Sequence, residues 1–320
     1  MSGHVHRTLI AQAFLVLLTM GVPSRAPAAS GADAPADSSA YALRTEGSFD
    51  RDALESVGIR HPARLAYDAD GNLHVLDAET RRVMKLDPRG HLLYEVGGSG
   101  TDETAFDLPV DLAVDRDQSL LVMDRGRAAL LAFDRSGRFL AVRSFQGEAA
   151  EDARDAGSRL LLDRFGKLWL LAPRARDLVP LDDRLAPART TRFLTPEDSV
   201  EAPTLAALRA GGESWVFDAA RGLARFDATG KLLRGGWKPG ADQPALSDLA
   251  VDASGTVLAS DPAGQRLLVF TPDGRLVLSR ALGGATHHWR PQALALGPNG
   301  RVAIADPERC EIQILTLVRP

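Results

Sequence analysis

Short apolar strands alternate with polar, glycine-containing turns along most of this chain, and one kind of strand returns at a nearly constant interval. Five of six such strands end on an aspartate, and the third ends on an alanine. The six are Leu73–Asp77, Leu120–Asp124, Leu168–Ala172, Ser214–Asp218, Val257–Asp261 and Arg301–Asp306. Their last residues are 43 to 48 positions apart. An interval of this length is typical of repeat architectures.

Each repeat unit predicts four short strands. A turn of the type Asp-x-x-Gly follows the first strand, as at residues 68–71, and a second glycine turn follows the third strand, as at residues 86–90. Glycine supplies positive φ and aspartate accepts backbone hydrogen bonds, so these segments favour turns. Apolar positions at helical spacing are lacking. The pattern predicts an all-β, six-bladed β-propeller of four-stranded antiparallel blades. The third unit lacks the second glycine turn, at residues 182–186.

The sixth unit stops after three strands, and one strand is left over before the first unit, from Tyr41 to Phe49. An open propeller would leave strand edges exposed, which favours aggregation. The N-terminal strand is therefore predicted to complete the last blade and close the ring. The recurring aspartates are predicted to fix turns by accepting backbone N–H groups, and not to act as catalytic acids.

A proline opens the first strand of four units, at Pro62, Pro109, Pro203 and Pro291. The unit that begins Pro62-Ala-Arg-Leu-Ala-Tyr-Asp68 continues to Asp77 and, five residues later, Arg82. With its counterparts, this unit resembles the NHL repeat family over about residues 60 to 320. The resemblance implies the propeller fold and says little about activity.

The N-terminus has the three parts of a secretory signal peptide. Arg7 precedes an apolar run from Leu9 to Val22, and small residues at 26–28 offer a cleavage site. The alternative is a membrane anchor, although the run is short for a span of about 20 residues. We predict a signal peptide at 1–28, a disordered linker at 29–40 and a propeller at 41–320, exported to the periplasm or secreted, with no membrane span after cleavage.

Composition and charge narrow the function classes. The formal net charge is −4, and no basic stripe of the kind that nucleic-acid binders carry is visible, so no nucleic-acid partner is expected. The chain has one cysteine, Cys310, which cannot form an internal disulfide. A sizeable apolar core must therefore hold the fold together.

In a propeller the segment that enters the first strand of each blade and the turn between the second and third strands of that blade lie on one face. We call it the loop-rich face, and it is the default binding site. The ligand-binding candidates on this face are His61, Arg64, Asp111, Arg159, Trp237, Asp248, Trp289 and Arg290. The four charged residues in first strands share one repeat position in units one, two, three and five, where units four and six have Leu205 and Ala293. They predict either a site for a zwitterionic or anionic ligand or an internal ion-pair ring.

Three histidines suggest a possible divalent metal site. His287 and His288 precede the first strand of the sixth blade, and His61 precedes that of the neighbouring first blade. Three imidazoles can hold a zinc ion with an open position. The alternative is that these are ordinary loop histidines.

Two enzyme families on similar propellers allow a comparison that bears on whether this chain is an enzyme. Metal-dependent lactonases place Glu, Asn and Asp at the position after the strand-opening proline. Here that position holds no carboxylate; it holds Ala63, Val110, Ser158, Thr204, Ser247 and Gln292. The amidating lyases use histidines from several blades, and only two blades supply them here. We expect no catalytic residues and a binding or scaffold protein for a protein, peptide or envelope ligand; the alternative is a metal-dependent hydrolase or lyase at the channel mouth.

Overall fold

A computed structural model describes residues 41–163, 165–188, 194, 201, 203–209, 211–237, 245–283 and 288–319, without the side chains of 236 and 237. Short antiparallel strands make up most of these residues. The elements, in chain order, are β1 Ala42–Phe49, α1 Arg51–Ser56, β2 Pro62–Tyr67, β3 Leu73–Asp77, β4 Arg82–Leu86, β5 Leu92–Gly97, β6 Pro109–Val114, β7 Leu120–Asp124, β8 Ala129–Phe133, β9 Phe139–Ser144, α2 Glu148–Asp152, β10 Arg159–Leu162, β11 Leu168–Ala172, β12 Asp177–Pro180, β13 Pro203–Leu208, β14 Ser214–Asp218, β15 Gly222–Phe226, β16 Leu232–Trp237, β17 Asp248–Val251, β18 Val257–Asp261, β19 Arg266–Phe270, β20 Leu276–Ala281, β21 Ala293–Leu296, β22 Arg301–Asp306 and β23 Glu311–Val318.

The strands form six antiparallel sheets, and the predicted six-bladed β-propeller is confirmed. Sheets β2–β5, β6–β9, β13–β16 and β17–β20 are blades one, two, four and five, each with its strands in chain order. Blade three has β10, β11 and β12 within the described residues. The first strands of neighbouring blades contact one another around the whole ring, and β21 of blade six contacts β2 of blade one. These first strands therefore surround a central channel.

The ring is closed by the N-terminal strand, as the sequence predicts. β1 pairs antiparallel with β23, from Ala42 opposite Val318 to Phe49 opposite Ile312, with a bulge between Thr45 and Gly47. The sixth sheet consequently has the order β1-β23-β22-β21. Residues from both ends of the chain therefore form one blade.

Apolar side chains fill the space between each pair of neighbouring blades. The core between blades five and six includes Leu258, Leu267, Leu294 and Ile304, and the closing strand adds Leu43 to it. Equivalent cores lie at the other five interfaces. Burial of apolar area at about 25 cal/mol per Å² is the main source of stability in such an arrangement, and each blade depends on its neighbours for it.

The recurring aspartates are turn anchors. Asp124, which is fully buried, accepts the N–H groups of Asp107 at 2.7 Å and Leu108 at 3.0 Å, both on the segment that enters the first strand. It also accepts the N–H of Arg127 at 3.2 Å, in the turn that follows its own strand. The Asp124 carboxylate thus joins two loops on the same face. The same two kinds of contact recur at Asp77, Asp218 and Asp306.

Blade three shows how the repeat tolerates substitutions. Ala172 replaces the anchoring aspartate, and its cross-strand partner Asp177 accepts the N–H of Leu194 at 2.8 Å. The turn at 182–186 persists without glycine, because Leu185 adopts a φ of 59° and donates its N–H to the carbonyl of Asp182 at 3.0 Å. The missing glycine removed the sequence signal and left the turn intact.

Short helices at two blade connections escaped the sequence analysis. Asp50 caps α1 by accepting the N–H of Ala53 at 2.9 Å, and Leu54 of this helix is buried in the core between blades six and one. An N-cap aspartate is a recognisable signal for a helix start. α2 buries Ala149 beside blade three. No helix within the described ranges is long and apolar enough to span a bilayer.

Candidate functional site

Four charged residues occupy one register position in the first strands that surround the central channel. Each lies opposite the residue that precedes the end of the second strand: Arg64 opposite Leu76, Asp111 opposite Met123, Arg159 opposite Leu171, and Asp248 opposite Ser260. Leu205 and Ala293 occupy the same register position in blades four and six. The shared repeat position that the sequence indicates is therefore a shared position in space. We call Arg64, Asp111, Arg159 and Asp248 the channel ring.

The two aspartates of the channel ring join neighbouring blades. Asp111 accepts the N–H of Leu160, in the first strand of blade three, at 2.9 Å. Asp248 accepts the N–H of Leu294, in the first strand of blade six, also at 2.9 Å. The other carboxylate oxygen of each accepts the N–H of the following residue at 3.0 Å. Both carboxylates therefore fix how one first strand sits against the next.

The two arginines make fewer contacts. Arg64 Nε lies 3.9 Å from Asp111 Oδ1, and its Nη1 donates to the carbonyl of Ala63 at 2.7 Å. Arg159 Nη2 donates to the carbonyl of Ser247, in blade five, at 3.3 Å, so this side chain reaches past blade four. Burial and then the charge of Arg159 lower the pKa of Arg64, while Asp111 and Asp248 oppose them. Within the described residues the ring thus contains one long ion pair, from Arg64 to Asp111, and both alternatives of the sequence analysis stay open.

A groove lies on the loop-rich face between blades five and six. It encloses about 400 Å³ and is lined by Ala245, Pro262, Ala263, Gln265, His288, Arg290 and Gln292. His288 Nδ1 lies 3.3 Å from Gln265 Oε1, and both Arg290 and His288 are exposed. Arg290 Nη1 is 3.5 Å from Glu308, a contact between two largely exposed side chains that holds the guanidinium weakly. The lining therefore offers donors and acceptors to a polar ligand.

The groove contains two residues that the sequence analysis singled out and two that it did not. His288 and Arg290 were predicted candidates, and Gln292 was considered only as the residue after Pro291. Gln265 has a φ of 53° and lies in the turn just before β19, the third strand of its blade. Blades one, two, three and six also have a left-handed residue just before their third strand. The recurrence of this turn position in five of the six units was the sequence signal that could have identified Gln265.

The other candidates lie elsewhere. Trp289 keeps only 2% of its surface exposed and packs in the core between blades five and six, so it does not line the groove. His61 precedes β2 and donates its backbone N–H to Asp77 at 2.8 Å. Trp237 ends β16, and its side chain is outside the described part, as is the whole of His287. The three-histidine metal site consequently stays a prediction; elsewhere in the described chain no three His, Cys, Asp or Glu side chains converge.

The positions after the strand-opening proline, which the sequence analysis compared with lactonases, form bulges or hydrogen bonds that hold loops in this chain. Ala63, Val110 and Thr204 are the bulged residues of β2, β6 and β13. Ser158 donates to the carbonyl of Asp152 at 2.5 Å, and Ser247 donates to that of Pro291 at 2.9 Å. These side chains support the loop-rich face, and none of them supplies a carboxylate.

Comparison with known proteins shows the fold alone. No family model and no curated protein sequence matches the chain. A streptogramin B lyase structure has a TM-score of 0.64 at 13% identity, covering 87% of this chain and 98% of that chain. Virginiamycin B lyase from Staphylococcus aureus has a TM-score of 0.56 at 10% identity, covering 87% and 100%. A gluconolactonase from Xanthomonas campestris has 0.52 at 20%, covering 81% and 86%. Membership of the NHL repeat family stays a prediction.

Proposed function

We propose that this chain is an exported binding or scaffold protein that recognises a protein, peptide or envelope ligand on its loop-rich face. The proposal rests on the groove between blades five and six. Its size is within the range of ligand pockets. Its described lining supplies an exposed guanidinium, an imidazole and two carboxamides, with no Asp or Glu among them. Such a lining suits hydrogen bonding to backbone carbonyl groups or to a carboxylate of a ligand.

Capture from envelope extract, compared between variants, tests this proposal. The double variant His288→Ala/Arg290→Ala removes the imidazole and the guanidinium from the groove. Arg89→Ala is the matched control, because Arg89 is an exposed arginine in the turn between third and fourth strands, on the opposite face. Wild type and Arg89→Ala should retain the same component, and the double variant should retain at least ten-fold less. Equal retention by all three would exclude the groove as the binding site.

Export is a separate part of the proposal. A cleaved signal peptide at residues 1–28 leaves a mature chain that begins near Ala29. N-terminal sequencing of the protein recovered from a periplasmic or culture fraction measures this directly. Full-length protein recovered only from the cytoplasmic or membrane fraction would contradict export by cleavage.

The second candidate function is a metal-dependent hydrolase or lyase with its site at the channel mouth. It is kept because the structures of similar fold include lyases and a gluconolactonase. Zinc titration of the purified protein by calorimetry tests it, with His61→Ala and His288→Ala as variants. Saturable heat that both variants lose would favour the enzyme over the binding protein. An absence of heat from the wild-type protein would remove this candidate.

A further inference from the structure

The channel ring has more hydrogen-bond donors than acceptors within the described residues. Each guanidinium has five N–H groups. Arg64 uses Nη1 on its own neighbour Ala63, and its Nε finds no hydrogen-bond partner there. Arg159 uses Nη2 on Ser247, at the long distance of 3.3 Å. Most guanidinium N–H groups of the ring are therefore available to an acceptor that the protein does not supply.

Within the described residues, the carboxylates of the ring do not accept these guanidinium N–H groups. Every oxygen of Asp111 and Asp248 already accepts a backbone N–H, and these bonds hold the carboxylates against the neighbouring first strands. The ion pair from Arg64 to Asp111 is long, at 3.9 Å. For the same reason the carboxylates are poorly placed to ligate a cation. The two positive and two negative charges of the ring balance, so its unmet demand is for oxygen lone pairs that accept the free guanidinium N–H groups.

The surroundings of the ring favour a small ligand. The side chain of Arg64 keeps 24% of its surface accessible even though burial is the largest cause that lowers its pKa. Its guanidinium is therefore partly open to the central channel that the first strands surround. Low-dielectric walls around a channel concentrate the field of the charges that line it. Arg159 extends from blade three to the carbonyl of Ser247 in blade five, and its charge opposes that of Arg64. An anion between them would relieve this repulsion.

We propose that the channel mouth binds a small oxyanion, of the carboxylate or phosphate class, between Arg64 and Arg159. The planar guanidinium fork matches both groups by paired N–H···O bonds. The site is distinct from the groove between blades five and six, and it does not rest on the binding function proposed above. The anion is either a free small molecule or the charged end of a larger ligand that enters the channel.

Calorimetric titration with inorganic phosphate and, separately, with acetate tests the site, at constant ionic strength set with sodium chloride. Both probes should bind the wild-type protein saturably with one site per chain, or one of them should do so if the ring selects between tetrahedral and planar anions. Phosphate also stabilises proteins by exclusion from their surface. A rise in melting temperature alone is therefore not the readout. No saturable binding of either probe by the wild-type protein would overturn the proposal.

The variants Arg64→Lys and Arg159→Lys locate the binding. Lysine keeps the positive charge that balances Asp111 and Asp248 and removes the fork, so the fold is retained while paired hydrogen bonding is lost. Each variant should lower the affinity for the anion at least ten-fold. Arg89→Lys makes the same replacement on the opposite face and should bind as the wild type does. Unchanged affinity in both ring variants would place the anion elsewhere and refute the proposal.

Discussion

The interface between blades one and two is polar at positions where the interface between blades five and six is apolar. In blade one, His74, Lys85 and Tyr94 form a row across β3, β4 and β5. The same row in blade five consists of Leu258, Val269 and Leu278. The backbone register is the same in both blades. The repeat therefore tolerates either polar or apolar side chains between blades.

The polar row is built around one buried ion pair. Lys85 Nζ lies 2.9 Å from Asp68 Oδ2 and donates to the carbonyl of Arg135, in blade two, at 3.3 Å. Asn72 Nδ2 donates to the same oxygen of Asp68 at 2.8 Å. Blade four repeats the arrangement: Arg225 pairs with Glu213 at 2.8 Å and donates to the carbonyl of Pro272, in blade five, at 2.8 Å.

A buried pair of this kind adds little stability over an apolar pair of the same size, but the loss of one partner is costly. The apolar row loses only the contacts and volume of whichever side chain is removed. The two interfaces should therefore respond differently to single substitutions, and the whole ring should respond to the loss of its closing strand.

Deletion of residues 42–49 should have the largest effect. It removes β1 and takes Leu43 from the apolar interface and Phe49 from the interface between blades six and one. β23 would then become an exposed edge. We expect loss of cooperative unfolding, or a melting temperature lower by more than 10 °C, given a shift of about 2–4 °C per kcal/mol for a domain of this size.

The accessibility of the Cys310 thiol measures the effect of this deletion at one position in the core. This thiol is fully buried in the core between blades six and one, and burial raises its pKa to about 11. It should react with a thiol reagent only after unfolding in the wild-type protein and at once in the deletion variant. A deletion variant that melts normally and protects Cys310 would show that the closing strand is dispensable.

Single substitutions at the buried ion pair should have the next largest effect. Lys85→Met leaves the Asp68 carboxylate buried without its cation and should lower the free energy of unfolding by about 3–5 kcal/mol. The double variant Asp68→Asn/Lys85→Met should recover a large part of that loss. Urea unfolding of the two single variants and the double variant gives the coupling energy.

Leu258→Ala is the matched change at the apolar interface, with an expected loss of about 2–5 kcal/mol from lost contacts and the cavity left behind. Its effect should add to that of Lys85→Met, since the two interfaces are on different sides of the ring. A Lys85→Met variant as stable as the wild type would show that the two interfaces do not differ in their response to single substitutions.

The sequence predicted most of the fold and part of the site. Repeat spacing and turn chemistry are local signals, so the blades, the closing strand and the turn anchors were predictable. The shared register of Arg64 and Arg159 was also visible. The contact of Arg159 with Ser247 was not, because it joins blades three and five through space. The burial of Trp289 was not visible either, since a loop position next to two histidines does not reveal that the indole packs in the core.

The pH dependence of folding stability should show the smallest of the expected differences between the two interfaces. His74 is fully buried; its Nε2 lies 3.7 Å from Asp68 Oδ2, beyond hydrogen-bond distance, and neither ring nitrogen has a hydrogen-bond partner among the described residues. Burial lowers its pKa, and Lys85 lowers it further, against the opposing effect of Asp68. The imidazole therefore stays neutral in the folded protein below about pH 6.5, where the unfolded chain takes up a proton. Because the unfolded state binds more protons, folding stability must fall as the pH falls through this range.

His74→Leu converts this position into its counterpart in blade five, Leu258. The change should leave stability at pH 7 equal or slightly higher, because two unpaired ring nitrogens are removed from the interior. Between about pH 6.5 and 5 it should remove a slope of at most about 1.4 kcal/mol per pH unit. Asp68 also has a pKa below its usual range, because His74, Asn72 and Lys85 together outweigh the effect of burial. Its contribution is lost only below about pH 4, so it does not overlap this window. Urea unfolding at pH 7.0, 6.0 and 5.0 measures the slope, and equal slopes for the variant and the wild type would show that His74 is protonated without cost.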